Sequence, residues 1–255
     1  MLTFISDLDN TLIYSRQKGV CVEWLDEKEL TYMTANAKRM FQALLKEQNF
    51  LFIPCTARSY KQATRVEFVQ HLPYLICDMG GSIYVHGRLD EEWERIQQEK
   101  GCRNPSAINA EKIWLQKYLH IPYQKIHTNR ELFFVVAFAN KELASQAWEQ
   151  IKGRSGFHFQ YHLQGRKLYC TPTGLDKARA VEYLKKNYDL GEIYTSGDSF
   201  FDEDFTELGV SLLPAHAEFA HGGFRTVHTG ILAGEEIVKK LYRLVEPQNA
   251  EVRRG

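Results

Sequence analysis

The sequence is short of the features that would take it out of the ordinary globular classes. Cysteine is sparse: Cys21, Cys55, Cys77, Cys102 and Cys170 are odd in number, scattered, and never form a C-x-x-C pair. That argues against a disulfide framework or a zinc site and favours a reducing, cytoplasmic setting. No run of eighteen apolar residues occurs, so no segment is expected to span a membrane. The opening Met1-Leu2-Thr3-Phe4-Ile5-Ser6-Asp7 has no basic stretch and soon meets an acid, unlike a signal peptide. Charge excess is absent too, since 32 Lys+Arg balance 32 Asp+Glu. Such a chain has no overall field to gather nucleic acid or an anionic membrane, so any anion site must be built locally. Low-complexity tracts are missing as well.

What is present suits a sizeable core: 255 residues, 44% of them hydrophobic, fit one large domain or two modest ones. Short apolar runs at 2–6, 50–55 and 74–77 read as buried strands, with helices expected over 35–48 and 59–71 between them. Continuous apolar strands alternating with helices predict a parallel sheet covered on both faces. The middle reads differently. A helix over 105–119, strands at 123–128 and 132–139, a helix at 141–151, and strands at 156–162 and 167–171 repeat one helix–strand–strand unit. That predicts a small antiparallel sheet with two helices, inserted into the first fold. Gly80-Gly81 reads as a hinge or turn into it rather than as a phosphate loop. The parallel pattern resumes with a helix at 177–187, strands at 192–196, 210–214 and 226–228, and helices near 202–208 and 235–244. The polar stretch 246–255 is expected to fray. The boundaries fall at 1–82 plus 171–255 for the α/β core and 83–170 for the inserted α+β cap.

In open α/β sheets ligands bind beyond the carboxyl ends of the strands. Four segments stand there: Asp7-Leu8-Asp9-Asn10-Thr11-Leu12, Thr56-Ala57-Arg58, Lys177, and Gly197-Asp198-Ser199-Phe200-Phe201-Asp202. Asp7 and Asp9 are two residues apart, so in extended chain their carboxylates point the same way and repel unless a cation or proton intervenes. Asp198 and Asp202 add to the cluster. Such acid density calls for a hard divalent ion, and Mg²⁺ is the usual choice beside phosphate. Lys177 sits in a helix's first turn, where the dipole opposes a cation by roughly 0.3–1 kcal/mol. Its placement makes sense if it serves a nearby carboxylate or phosphate. Thr56 would offer that phosphate a hydroxyl.

At these residues the chain resembles the haloacid dehalogenase superfamily of phosphatases. Asp7-Leu8-Asp9-Asn10-Thr11-Leu12 is similar to its D-x-D-x-T-L signature, Thr56-Ala57-Arg58-Ser59 to its second motif, Lys177 to its third, and Gly197 to Asp202 to its G-D-x-x-x-D fourth. The insert lies between the second and third motifs, as in the Cof-type, sucrose-phosphatase-like and mannosyl-3-phosphoglycerate phosphatase branch, which includes phosphomannomutase. Ala57 replaces a common glycine, Phe201-Asp202 an Asn-Asp pair, and His216 a frequent asparagine. The resemblance implies a Rossmann-like core and hydrolysis of a small phosphorylated metabolite; the neutral charge and small cap suit a sugar phosphate or phosphoglycerate conjugate, and the chain is expected to be a monomer or weak homodimer. It further implies that Asp7 is the nucleophile and Asp9 the general acid and then base. Mg²⁺ would be held by Asp7, Asp198 and the carbonyl of Asp9, with Asp202 supporting it directly or through water. Thr56 and Lys177 would hold phosphate, with Lys177 also pairing with Asp7.

Blander readings stand beside these. Arg58 would contact substrate or merely cover the sheet edge. His158 and His162 share a strand face but lack further ligands for a metal. In the cap, which is expected to close over the site, Asn129-Arg130, Arg166 and Lys167 are candidate selectors of the leaving group. Two rivals to a phosphatase remain at this stage: a phosphomutase, and a non-catalytic binding module on the same fold.

Overall fold

Leu2–Ser6 forms the first strand, β1, and every one of its side chains is buried. The computed structural model describes residues 1–15, 18–154 and 158–252. Along the chain follow β2 (Val20–Leu25), β3 (Lys28–Met33), α1 (Ala35–Leu44), β4 (Phe50–Pro54), α2 (Tyr60–Ala63), β5 (Tyr74–Cys77), β6 (Ser82–Val85) and β7 (Arg88–Leu89). The middle holds α3 (Glu91–Glu99), α4 (Pro105–Tyr118), β8 (Lys125–Asn129), β9 (Phe133–Ala137), α5 (Lys141–Ile151), β10 (Phe159–Gln164) and β11 (Lys167–Pro172). The chain ends with α6 (Lys177–Asn187), β12 (Glu192–Ser196), α7 (Glu203–Thr206), β13 (Val210–Leu213), β14 (Phe224–Arg225) and α8 (Ile231–Val252).

Two compact units result, Met1–Leu89 with Lys177–Gly255, and Asp90–Asp176. The first is an α/β fold built on a parallel sheet in the order β14-β13-β12-β1-β4. β1 is flanked on both sides, so its end is surrounded by loops from β12 and β4. Its core joins Phe4, Phe41 and Phe52, with the Phe41 and Phe52 rings edge-on at 4.9 Å. Burial of each such ring contributes about 1.5–3 kcal/mol. Thr34 caps α1 by accepting the amide of Ala37. The second unit is a four-stranded antiparallel sheet, β10-β11-β9-β8, with a core of its own around Phe134, Phe138 and Leu168.

Several elements depart from the pattern expectation. Tyr74–Cys77 is a strand, but it pairs antiparallel with β6 and meets the edge of the parallel sheet through a parallel bridge from Cys55 to Ile76 and the Thr56 amide on the Ile76 carbonyl. The expected helix over 59–71 stops at Ala63. The Thr64 hydroxyl turns back onto the Tyr60 carbonyl. Beyond it, Val66 bridges to Glu23 and the Glu67 amide donates to the Val22 carbonyl, so this backbone is committed to β2. The β2–β3 hairpin and α3 were not legible at all. The expected strand at 156–162 falls partly outside the described residues and is seen as β10 from Phe159. The expected strand at 226–228 is seen instead as β14 at Phe224–Arg225, and α8 runs from Ile231 to Val252, longer than the 235–244 helix expected. Gly80, with φ +86, follows Met79, whose φ is +58, so of the two readings of Gly80-Gly81, hinge or turn, the backbone here is a tight turn. Among the described residues no helix is long and apolar enough to cross a membrane.

Candidate active site

Three of the sequence-derived carboxylates meet at the end of β1. One oxygen from each of Asp7, Asp198 and Asp202 lies within 4.8 Å of the others, and all three side chains are buried. Parallel pairing makes this happen: the Asp7 amide donates to the Ser196 carbonyl, so the segment after β12 stands beside the segment after β1. Lys177, 4% exposed, reaches into the cluster from the first turn of α6. Its Nζ donates to Asp7 Oδ1 at 2.9 Å and to Asp202 Oδ1 at 2.6 Å. A lysine against the helix dipole is thus explained by two carboxylates that more than offset it.

Asp202 is the best-satisfied member. Its Oδ2 accepts the amides of Asp198 at 3.1 Å and Ser199 at 2.9 Å, and the Ser199 hydroxyl at 2.8 Å. Gly197 is required here: a Cβ on it would stand 2.2 Å from the Asp202 Cβ. Asp198 has fewer donors; Thr11 Oγ1 reaches its Oδ1 at 3.3 Å.

The electrostatics follow. Burial pushes the Asp7 carboxyl up from 3.8 to about 7; Asp202 and Asp9 add repulsion, and Lys177 only partly counters them. Asp198 is pushed up too, first by burial and then by Asp7 and Asp202. Lys177 is held firmly charged: burial works against its ammonium, but Asp202 and Asp7 outweigh it. Among the described residues, three buried carboxylates facing one ammonium form an all-oxygen donor set short of positive charge, which fits a hard divalent cation.

Asp9 and Arg58 stand apart from this cluster as a pair. Arg58 Nε and Nη2 donate to the two Asp9 oxygens, each at 2.7 Å. The other edge of Arg58 meets Glu23, Nη1 to Oε2 at 2.9 Å. Burial alone would lower the guanidinium's affinity for its proton; Asp9 and Glu23 raise it instead. Thr56 is 1% exposed, and its hydroxyl accepts the Arg58 amide at 3.2 Å. The Asp7–Ile13 loop is pinned by Tyr14, whose hydroxyl donates to the Thr11 carbonyl. His216 pins it again, with Nε2 2.8 Å from the Asn10 carbonyl while Nδ1 accepts the Gly230 amide. Sequence reasoning missed Glu23, Ser199 and the linking role of His216. Only Glu23 left a signal, an acid inside the apolar run Val20-Cys21-Val22-Glu23-Trp24-Leu25. Of the cap candidates, Asn129 is buried and Arg166 donates to the Ala139 carbonyl at 2.9 Å.

Comparison with solved structures places the fold. Sucrose-phosphatase from Synechocystis sp. PCC6803, solved with sucrose and phosphate, is 19% identical over 94% of this chain and 97% of its own, with a TM-score of 0.65. The C-terminal domain of trehalose-6-phosphate phosphatase from C. albicans is 12% identical over 96% and 93%, with a TM-score of 0.63. A haloacid dehalogenase-like hydrolase from B. subtilis is 14% identical over 94% and 98%, with a TM-score of 0.55. A sequence search of curated proteins finds no match. The sucrose-6F-phosphate phosphohydrolase family model matches residues 1–218, most of the chain. The chain therefore belongs to the sucrose-6F-phosphate phosphohydrolase family, phosphatases of the haloacid dehalogenase superfamily.

Proposed function

We propose that this protein is a Mg²⁺-dependent phosphohydrolase of a phosphorylated sugar, working through an aspartyl-phosphate on Asp7. The observation that carries the reading is Asp7 itself: a buried carboxylate at a strand end, gripped by Lys177 at 2.9 Å and clustered with Asp198 and Asp202. The name of its family supports the sugar-phosphate class.

An Asp7 oxygen attacks phosphorus, and the bond from phosphorus to the sugar oxygen breaks. Asp9 gives that oxygen its proton. Asp9 then takes a proton from water as the water attacks the aspartyl-phosphate, and the phosphorus–Asp7 bond breaks, releasing phosphate. Splitting one hard displacement into two easier ones is the gain of a carboxylate nucleophile. Lys177 orients Asp7 and offsets charge on the phosphoryl oxygens, and Thr56 adds a hydroxyl. Asp7, Asp198 and the Asp9 carbonyl would hold Mg²⁺, with Asp202 fixing the loop that carries Asp198. Bound there, the ion would neutralise the carboxylates and the transferring group.

The test is phosphate release from a panel of sugar phosphates and an aryl phosphate, with Mg²⁺ or with EDTA, for the wild type and Asp7→Asn. The expected result is Mg²⁺-dependent release that Asp7→Asn abolishes. Full activity in that variant would overturn the aspartyl-phosphate mechanism, and no release from any substrate by folded protein would overturn the hydrolase reading.

A further inference from the structure

Outside the carboxylate cluster, the described residues hold a second buried charged array, and its centre is Glu23. Its side chain is 1% exposed. Glu23 Oε2 accepts Arg58 Nη1 at 2.9 Å and the Thr31 hydroxyl at 3.0 Å, and Oε1 accepts Arg65 Nε at 3.1 Å. A carboxylate this deeply buried is costly unless paired and hydrogen-bonded, and here both oxygens are. The backbone is shaped to put it there. The pairing of β2 with β3 shifts register on both sides of Glu23, so Cys21, Val22 and Glu23 are buried in succession rather than alternating. Irregularities of this kind re-aim side chains and recur beside active sites. The hairpin is itself tied down, by the Val66 bridge to Glu23 and by the paired amides and carbonyls of Tyr14 and Tyr32.

Arg58 is correspondingly constrained. Its Nη1 is shared between Glu23 and, at 3.4 Å, the Gln62 carbonyl, which fixes the guanidinium plane. The opposite edge is left with one task, a two-point grip on Asp9. Asp9 is otherwise open, with its side chain 47% exposed. An exposed aspartate samples several rotamers, and a planar fork anchored from behind removes that freedom.

Resting on the reading of Asp9 as the acid and base of the reaction, we infer that Glu23 is a positioning residue. It anchors Arg58, and Arg58 sets the direction of the Asp9 carboxylate. Arg58 is thereby a positioning residue rather than a ligand for substrate. A reacting group misplaced by about 1 Å costs on the order of 10²-fold in rate.

The experiment measures kcat and KM for Glu23→Gln, Arg58→Gln and the double variant, with Mg²⁺ and the best sugar phosphate. Arg58→Lys is added because it keeps the charge at a less buried position but cannot form the fork. Each single variant is expected to lower kcat about 10- to 100-fold with KM changed less than about threefold. The double variant should be no slower than Arg58→Gln, since Glu23 acts only through Arg58. Losses that multiply in the double variant, or a rise in KM with kcat unchanged, would overturn the positioning role. If Glu23→Gln fails to fold, Arg58→Lys decides alone: wild-type kcat would overturn the inference. Wild type with no activity on any substrate would instead overturn the hydrolase reading, and this role with it.

Discussion

Replacing Asp202 with asparagine probes how the cluster is held together. Four donors converge on this one carboxylate: Lys177 Nζ on Oδ1, and two amides and a hydroxyl on Oδ2. An asparagine has one acceptor oxygen. Turned one way, its NH₂ faces the Lys177 ammonium across 2.6 Å. Turned the other way, it faces the three donors that fix the Gly197–Asp202 loop. Breaking a buried ion pair costs about 3–5 kcal/mol. Here Lys177 keeps Asp7, and Asp7 and Asp198 lose a repelling neighbour, so the low end applies, about 3 kcal/mol. For a chain of this size that is a fall of about 6–12 °C in Tm. The assay is thermal and urea unfolding followed by far-ultraviolet circular dichroism, in EDTA. A loss under about 1 kcal/mol would refute the reasoning, because Asp202 would then not be the hub of the loop.

Three more predictions concern the same cluster. Asp7 and Asp198 hold protons in the folded state at pH values where an unfolded chain, with carboxyls near 3.8, has released them. The contribution of these two groups to the stability of the metal-free protein should therefore be fully present below that value and be lost as pH rises through about 7. Mg²⁺ should raise Tm more at pH 8 than at pH 5.5, since binding needs both carboxylates ionised; an equal rise at both, by differential scanning fluorimetry, would count against these groups as its ligands. Gly197→Ala, whose new methyl would press on Asp202 from 2.2 Å, should destabilise by about 1–3 kcal/mol in urea unfolding, and an unchanged midpoint would mean that the loop yields freely.

The legible parts were those where local pattern and tertiary role agree. β1, β5, α5, α6 and β12 each carry a short apolar run or a helical stripe that ends at a turn residue, and their bounds came through intact. The cluster of Asp7, Lys177, Asp198 and Asp202 was legible for a similar reason. Each residue follows its own strand or opens its own helix, and a parallel sheet brings such ends together. The β2–β3 hairpin was hidden because its irregular register breaks the period of two, and because Glu23 reads as a solvated acid when it is buried between two arginines. The short α2 was hidden for a long-range reason: the backbone at Val66 and Glu67 pairs with a strand some forty residues earlier, which no local window contains. Arg58 shows the same limit. Its neighbours in sequence say only that it follows a strand, whereas its direction is set by Glu23 from another element.

The two charged arrays differ in a way that bears on function. In one, Asp9, Arg58, Glu23 and Arg65 alternate in sign, and the acids are matched one for one by arginines. Such an array is complete as it stands and calls for no added cation. In the other, Asp7, Asp198 and Asp202 face Lys177 alone among the described residues. Burial makes the shortfall costly, and the raised Asp7 and Asp198 carboxyls are its signature. A fold that pairs one buried acid so thoroughly had the means to pair the others. Leaving them short of positive charge has a use only if charge arrives with function, which is what the proposed Mg²⁺ and the phosphoryl group it accompanies would bring.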